Sequence, residues 1–493
     1  MNFSIAQIEV GNAKSRITGL DPELFRLLRH ELSFQESEGG TRRFLQSDGS
    51  VKVSHWDGFR RLLDNKGLFP SGLIPRLVRL LQKWGAAYQV TDRRERLMEG
   101  MPLWTMPKDF RLRDYQEVAC NAAEKVGRGV IDSPPRTGKT IMMAELIRRV
   151  ASPTVITSPT EAIAAQTHAK LLELFASNDW TGLADCSEDF FLLTGGAPKT
   201  RKTRAALKRA TVFVATADTA ASMSQAWWDR ILCLIVDERH HQAARTYHKM
   251  NTLAVNAYWR WGFTGTNYRS KEGEQVALEA CLGRVVARYT IPDMVARGVL
   301  VGGQVVFWPI DRPGIKSMKF SEGYRAGIVE DELRNRMIVY SASELVRAGR
   351  KVLILVHHIE HGERLQAMLA GSRFVQGADG PEVRKAVAQL DSGELRCLIG
   401  SPVVGEGLDC PAADALVYAK GYKAKVTHVQ DIFRVLTAGP AKKDAIVVDF
   451  ADRHNKVLME HSVERMRNYI GMGLTCSVRE NLPVDMTQLA LYR

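Results

Sequence analysis

The sequence predicts an α/β protein: two parallel-sheet domains in tandem behind a small α+β N-terminal domain. Three observations predict it. The length of 493 residues suits about three domains at roughly 100–200 residues each. From about residue 110 to 290, short apolar runs alternate with helical stretches, and the alternation returns from about 295 to 470. Such β–α alternation implies a parallel sheet covered by helices on both faces. Residues 1–105 lack it.

Taken in order, the N-terminal 105 residues carry short alternating stretches and then a helical period. Ile74, Leu77, Leu80, Leu81 and Trp84 recur at helical spacing and predict a helix over 74–84. Residues 51–110 hold eleven basic against six acidic side chains, whereas residues 1–50 are near neutral. Gly100–Pro107, with two prolines and no periodicity, reads as a linker. In the first repeat of the pattern, Val130–Ile131, Thr154–Thr157, Thr211–Ala215, Cys233–Val236 and Gly262–Thr264 read as strands. Thr140–Val150 and Glu161–Phe175 read as helices. In the second, the predicted strands are Lys351–Val356, Arg373–Gln376, Cys397–Gly400, Ala415–Tyr418 and Ala445–Phe450. Nothing after about Met472 shows a pattern. The expected boundaries are therefore 1–105, 106–290, 291–471 and a tail at 472–493.

Composition narrows the class. Hydrophobic residues at 45% and charged residues at 25% are ordinary for a globular chain and exclude a largely disordered one. No apolar run approaches the ~20 residues that span a bilayer, and Met1–Val10 has no secretory pattern. The expectation is a cytoplasmic protein with no membrane partner. Seven scattered cysteines, none forming a CxxC pair, argue against a disulfide framework or a zinc site. The net charge of +13 points to a polyanionic partner, most often nucleic acid, though a basic soluble protein would share it.

The chemistry begins at Ser133-Pro-Pro-Arg-Thr-Gly-Lys-Thr140, which follows a strand and opens a helix. Backbone N–H groups and a helix N-terminus at such a turn cradle phosphate oxygens. Pro135, Arg136, Thr137 and Gly138 form the cradle, Lys139 reaches the β- and γ-phosphates, and the Thr140 hydroxyl binds Mg²⁺. Ser133 stands where the usual motif has its first glycine. Asp237 and Glu238 end the apolar strand Cys233–Val236, where ligands bind in open α/β sheets. Asp237 would hold Mg²⁺ partly through water, and Glu238 would orient or deprotonate the attacking water.

These residues, in this order, resemble a known family. Asp237-Glu238-Arg239-His240 resembles the DEAH-type box of superfamily two helicases, with Arg for Ala. Leu112-Arg-Asp-Tyr-Gln116 resembles the family's adenine-reading element, which gives Gln116 the base edge. Ser158-Pro-Thr160 with Gln166, Thr194-Gly195-Gly196, and Ala215-Thr216 resemble its strand-contacting motifs. Gly262-Phe-Thr264-Gly-Thr266 resembles the motif whose hydroxyls couple the nucleotide and strand sites. Val356-His357-His358, Ser401 through Gly407 to Asp409, and Gln430-Asp-Ile-Phe-Arg434 resemble motifs IV, V and VI. The resemblance covers roughly residues 106–455. It implies two RecA-like motor domains, use of ATP and Mg²⁺, a γ-phosphate-sensing Gln430, and Arg434 as a cation brought across a cleft. It places Gly407 and Asp409 near the ribose, or Asp409 as a relay between sites. Thr160, Gly195, Gly196, Thr216, His357 and Ser401 become strand contacts.

The last motif departs from the pattern: Phe433 replaces Gly, and Thr437 replaces the final Arg. That Arg commonly serves as an arginine finger, worth roughly 10³–10⁵ in rate where it has been dissected in P-loop NTPases. Arg434 could suffice, Lys442 or Lys443 could substitute, or turnover could be slow; an active enzyme is favoured because the rest of the set is intact. On the nucleic-acid side, Lys199, Arg201, Lys202, Arg204, Lys208 and Arg209 put six cations into eleven residues. Phosphate contacts of this kind give salt-dependent, sequence-independent affinity. In the N-terminal region, His55-Trp-Asp-Gly58, Leu62-Leu-Asp64 and Leu68-Phe-Pro-Ser-Gly-Leu73 resemble the accessory domain of the UvsW-type bacteriophage helicases. Trp56-Asp57-Gly58 could equally be a hairpin turn beside a packed Trp. The branch resemblance implies an ATP-dependent DNA helicase acting on branched or duplex DNA in fork regression, branch migration and annealing; a monomer is compatible with the sequence, which leaves the oligomeric state open. A duplex translocase or RNA helicase, and an ATP-gated clamp with little turnover, stay open.

Overall fold

The computed structural model describes residues 5–35, 40–45, 51–97, 110–176, 186–195, 200–237, 244–265, 272–311, 319–376, 380–401, 410–423, 425–439 and 442–479. By packing, the chain divides into two compact units. The first joins Met1–Ser133 with Gly138–Arg288, the second Pro134–Thr137 with Tyr289–Arg493.

In the first unit, the N-terminal segment builds a four-stranded sheet from β1 (Ala6–Val10), β2 (Lys14–Thr18), β7 (Leu68–Pro70) and β8 (Tyr88–Asp92), in the order β7-β2-β1-β8. Strict alternation of buried and exposed residues along β1 and β2 shows a sheet covered on one face. Helices Pro22–Glu31 and Ile74–Lys83 contribute Leu28, Leu77 and Leu81 to the core beneath it. Four strands this short cannot close a core alone. The core is completed by Val276, Ala277 and Ala280 of helix Glu272–Leu282. Arg76 adds an ion pair to Glu279 on that helix at 2.7 Å. The N-terminal segment thus shares one hydrophobic cluster with the following sheet domain.

Between these strands, β3 (Ser33–Gln35) pairs with β6 (Phe59–Arg61), and β4 (Gly40–Leu45) with β5 (Val51–Trp56), both antiparallel. Asp57-Gly58 is not a hairpin turn. It joins β5 to β6, which pair with different partners, and Gly58 takes a positive φ there.

The remainder of the unit is a seven-stranded, all-parallel sheet. Its strands are β9 (Arg128–Asp132), β10 (Thr154–Ser158), β11 (Phe190–Leu193), β12 (Val212–Thr216), β13 (Cys233–Val236), β14 (Trp259–Thr264) and β15 (Val285–Arg288). The order is β11-β12-β10-β13-β14-β9-β15. Every residue of β9, β10, β13 and β14 is buried, as expected for parallel strands covered on both faces. β11 and β15 are the sheet edges.

The second unit repeats the architecture with β16 (Gly302–Ile310), β17 (Val352–Leu355), β18 (Ser372–Val375), β19 (Cys397–Gly400), β20 (Ala415–Tyr418), β21 (Asp444–Asp452) and β22 (Thr475–Val478). The order is β18-β19-β17-β20-β21-β16-β22, all parallel. The stretch read as a tail from residue 472 therefore includes an edge strand. β22 is four residues long and mostly exposed, so it carries no apolar pattern to read. Beneath this sheet lies an ion-pair network. Arg465, fully buried, holds Asp449 at 2.9 Å and also donates to the Gly421 and Phe450 carbonyls. Arg334 holds Asp452 at 2.7 Å. Among the described residues, no helix is long and apolar enough to cross a membrane.

Candidate nucleotide site and nucleic-acid interface

The strand β9 runs out through Asp132 into Ser133, both buried. Ser133 N–H donates to the Thr264 carbonyl at 3.0 Å, which ties the start of the candidate phosphate loop to the end of the neighbouring strand β14. Asp132 accepts from Arg288 at 3.0 Å. Asp237 N–H in turn donates to the Thr157 carbonyl at 2.8 Å. Ser133, Thr264, Asp237 and Ser158 thus leave the carboxyl ends of four adjacent strands, β9, β14, β13 and β10. From β10 the chain goes on to β11 on one side, and from β13 to β14 on the other. That reversal opens the crevice in which open α/β sheets bind ligands.

The loop itself is shaped by two left-handed residues. Arg136 has φ +69°, a conformation that costs a non-glycine residue roughly 1–3 kcal/mol and clusters at functional sites. Gly138 has φ +78° and caps helix Lys139–Val150. No side chain caps that helix, so no cap hydroxyl or carboxylate occupies the anion-binding turn. Within the loop, Thr137 Oγ1 donates to the Pro134 carbonyl at 2.8 Å. Lys139 and Thr140 open the helix half-buried.

Gln116 lies against this turn. It is buried, and its Oε1 accepts from Arg113 N–H at 3.0 Å in a capping box. A Cβ built on Gly138 would meet Gln116 Nε2 at 2.4 Å. The upstream element and the phosphate loop are therefore in direct contact.

Among the strand-contact residues, Thr160 Oγ1 accepts from Ile163 N–H at the start of helix Glu161–Ala176. Thr216 caps helix Ala217–Ser222. Gly195 takes φ +67°. Helix Arg201–Arg209 buries no residue. Its first turn presents Arg201, Lys202 and Arg204 where the helix dipole is already positive, a placement that favours an anion and repels cations.

In the second unit, His357 and Ser401 follow the adjacent strands β17 and β19. Burial, then His358 and Lys420, push the His357 imidazole below its ordinary range. Helix Lys425–Leu436 carries Gln430, half-buried, and Arg434, buried. Asp431 accepts from Lys420 Nζ at 2.6 Å and lies 3.5 Å from Arg434 Nε. Asp431 was passed over in the sequence, although its i,i+3 spacing from Arg434 is a readable ion-pair signal; Lys420 had none. Lys442 Nζ donates to the Ala413 carbonyl at 2.5 Å, while Lys443 is exposed. Gly196, Lys199, Glu238, Thr266, Gly407 and Asp409 lie outside the described residues.

Residues 109–269, which hold the loop, Asp237 and Thr264, match the family model described as type III restriction enzyme, res subunit. Residues 109–269 thus carry a helicase domain similar to those of superfamily two. It is 21% identical to the ATP-dependent DNA helicase uvsW of Enterobacteria phage T4, over 89% of this chain and 93% of that protein. It is also 21% identical to the DNA 3'-5' translocase XPB2 of Sulfurisphaera tokodaii, over 73% of this chain and 85% of that protein. Among solved structures, the ATP-dependent Type ISP restriction-modification enzyme LlaBIII bound to DNA is similar, with a TM-score of 0.54 and 14% identity. That likeness covers 78% of this chain and 32% of the other, and it is one of fold.

Proposed function

We propose that this chain is an ATP- and Mg²⁺-dependent DNA helicase or translocase that acts on branched DNA. The observation that carries the reading is the convergence of Ser133, Thr264 and Asp237 on adjacent strand ends, with Gln116 packed on Gly138. The uncapped helix start suits a triphosphate, and the hard oxygens of Thr140 and Asp237 suit Mg²⁺. Bound there, the metal and nucleotide supply a polarised, transferable γ-phosphoryl group. The chain's own residues then have distinct tasks. Lys139 offsets phosphate charge, Gln116 orients the base, and Glu238 positions water. Gln430 and Arg434 complete the catalytic set in the second unit, where Asp431 fixes the Arg434 side chain. Thr264 and Thr266 couple nucleotide state to strand grip. The DNA contacts are Thr160, Gly195, Gly196, Thr216, His357, Ser401 and the cations Lys199, Arg201 and Lys202. Branched-DNA preference is supported by the resemblance of the N-terminal residues to the UvsW-type accessory domain, and ATP-dependent helicase action on DNA by the relative from phage T4.

The test is ATP hydrolysis measured across forks, four-way junctions, duplex, single strands and RNA. Fork or junction DNA should stimulate most, and Lys139→Ala should abolish hydrolysis while leaving DNA binding. Equal stimulation by plain duplex or by RNA would remove the branched-DNA part of the reading. Unchanged hydrolysis in Lys139→Ala would overturn it entirely. A second reading, an ATP-gated clamp with little turnover, is favoured by Thr437 and by the engagement of Lys442 with Ala413. Rapid product formation in a single-turnover assay on DNA excludes it.

A further inference from the structure

Phe320, Tyr324, His357, His358, Tyr422 and His461 of the second unit form one continuous cluster of rings. Tyr422 is at its centre, 4.2 Å from His357, 4.5 Å from Tyr324 and 5.8 Å from Phe320 between ring centroids. Phe320 extends the cluster to His461 at 5.3 Å, and Tyr324 extends it to His358 at 5.5 Å. The cluster lies where β17 and β20 end. β17 continues to β18 on one side and β20 to β21 on the other, so this is the crevice in which a doubly wound sheet receives ligands.

The inner part of the cluster is fixed. Tyr324 is buried against Ile328, Val329 and Leu458, and its hydroxyl donates to the Lys420 carbonyl. The Lys420 ammonium is held by Asp431. Gly421 takes φ +65°, and a Cβ there would lie 2.9 Å from Ile328; only glycine lets the chain turn this close and present Tyr422. The Gly421 carbonyl accepts from Arg465 at 3.0 Å. The backbone that carries Tyr422 is thus pinned on three sides.

The outer part is open. Phe320 is 41% exposed, His358 is exposed, and Tyr422 and His461 are half-buried. Lys319 and Lys423 flank the rings on the chain; Lys319 is exposed, and Lys423, 56% exposed, pairs with Glu464 at 3.0 Å. Immediately after Tyr324 the helix widens into a π-turn at Arg325–Val329, a distortion that recurs at functional sites. Rigid, amphipathic rings with flanking ammonium groups suit nucleotide bases with their phosphates.

We propose that this cluster is a stacking platform for the bases of an unpaired DNA strand. It rests on the DNA-motor reading above and names how that motor holds one strand once the partner has been removed. Bases in a duplex are already stacked on one another, so the platform discriminates unpaired from paired DNA.

The experiment compares binding of the full chain to an oligothymidylate, to an abasic oligomer of equal length, and to a blunt duplex. The wild type should favour oligothymidylate over the abasic strand. Phe320→Ala, a change at the exposed rim, should weaken oligothymidylate binding roughly 5- to 150-fold, the range for one lost base stack. It should leave abasic and duplex affinities in place. Tyr422→Phe should bind as wild type, and Tyr422→Ala should behave as Phe320→Ala. The platform is overturned if wild type binds the two single strands equally, or if Phe320→Ala leaves oligothymidylate binding unchanged while duplex still binds. Failure to bind any of the three DNAs, or a fork, overturns the DNA-motor reading and the platform with it.

Discussion

The Thr437 hydroxyl donates to the Phe433 carbonyl at 2.8 Å, one turn back in the helix that ends at Leu436. The position where an arginine was expected is thus occupied by a short side chain turned onto the backbone, next to a bridge between Leu300 and Thr437. If Arg434 supplies the cation, Arg434→Ala should lower DNA-stimulated ATP turnover by about 10³, while Thr437→Arg should change it no more than a few-fold. Lys420 still neutralises Asp431 in Arg434→Ala, so the thermal midpoint should move little. A many-fold gain in Thr437→Arg would instead favour the clamp.

Gly138→Ala meets two obstacles. The left-handed backbone costs an L-residue roughly 1–2 kcal/mol, and the new methyl would press on Gln116 Nε2 at 2.4 Å. Nucleotide affinity and the stability of the first unit should both fall. Adding Gln116→Ser removes the contact but not the backbone cost, so the double variant should recover stability in part. Calorimetric unfolding of the three proteins reads this; full recovery would mean that φ at residue 138 is unimportant.

His428 is fully buried between Tyr418 and Tyr469, with neither ring nitrogen hydrogen-bonded. Burial pushes its imidazole down from 6.5 to about 3. The unfolded chain therefore binds a proton that the folded unit refuses between those values. The neutral imidazole carries no such cost above pH 6.5, and stability falls as pH drops below it, by about 1.4 kcal/mol per unit for one proton. His428→Phe should flatten the slope of stability between pH 6.5 and 5 by about one proton. An unchanged slope in chemical denaturation would show that His428 is not the group responsible.

Ala280 is 4% exposed at the junction of the N-terminal core with helix Glu272–Leu282. Ala280→Asp places a carboxylate there with no designed partner. A loss of about 3–5 kcal/mol is expected, as for other uncompensated buried charges. Because one cluster spans the junction, the N-terminal segment and the first seven-stranded sheet should unfold together. Two separated transitions, with only the N-terminal one shifted, would contradict the shared core.

What the sequence disclosed follows from burial. β9, β10, β13 and β14 are covered on both faces, and each holds an apolar stretch, from Val130-Ile131 in β9 to the whole of β13. β11, β15 and β22 sit at sheet edges and are short, with partly exposed residues. The candidate phosphate loop and Asp237 stand out in the sequence because each is a local string tied to a strand end. The ring cluster was not legible: Phe320, His357, Tyr422 and His461 are far apart in sequence, and only the switch in strand order brings them together. The union of the N-terminal segment with the first sheet was hidden for the same reason, since it depends on three small residues of one distant helix.

That union has a mechanical consequence. Beyond the shared core, Arg94 and Arg96 lie over the rings of Tyr258 and Trp259, and Arg128 of β9 donates to the Asn12 carbonyl. The N-terminal segment is therefore welded to the sheet that carries Asp237 instead of swivelling on a tether. A load applied to the segment would therefore reach the strand ends of β9 and β13 without slack.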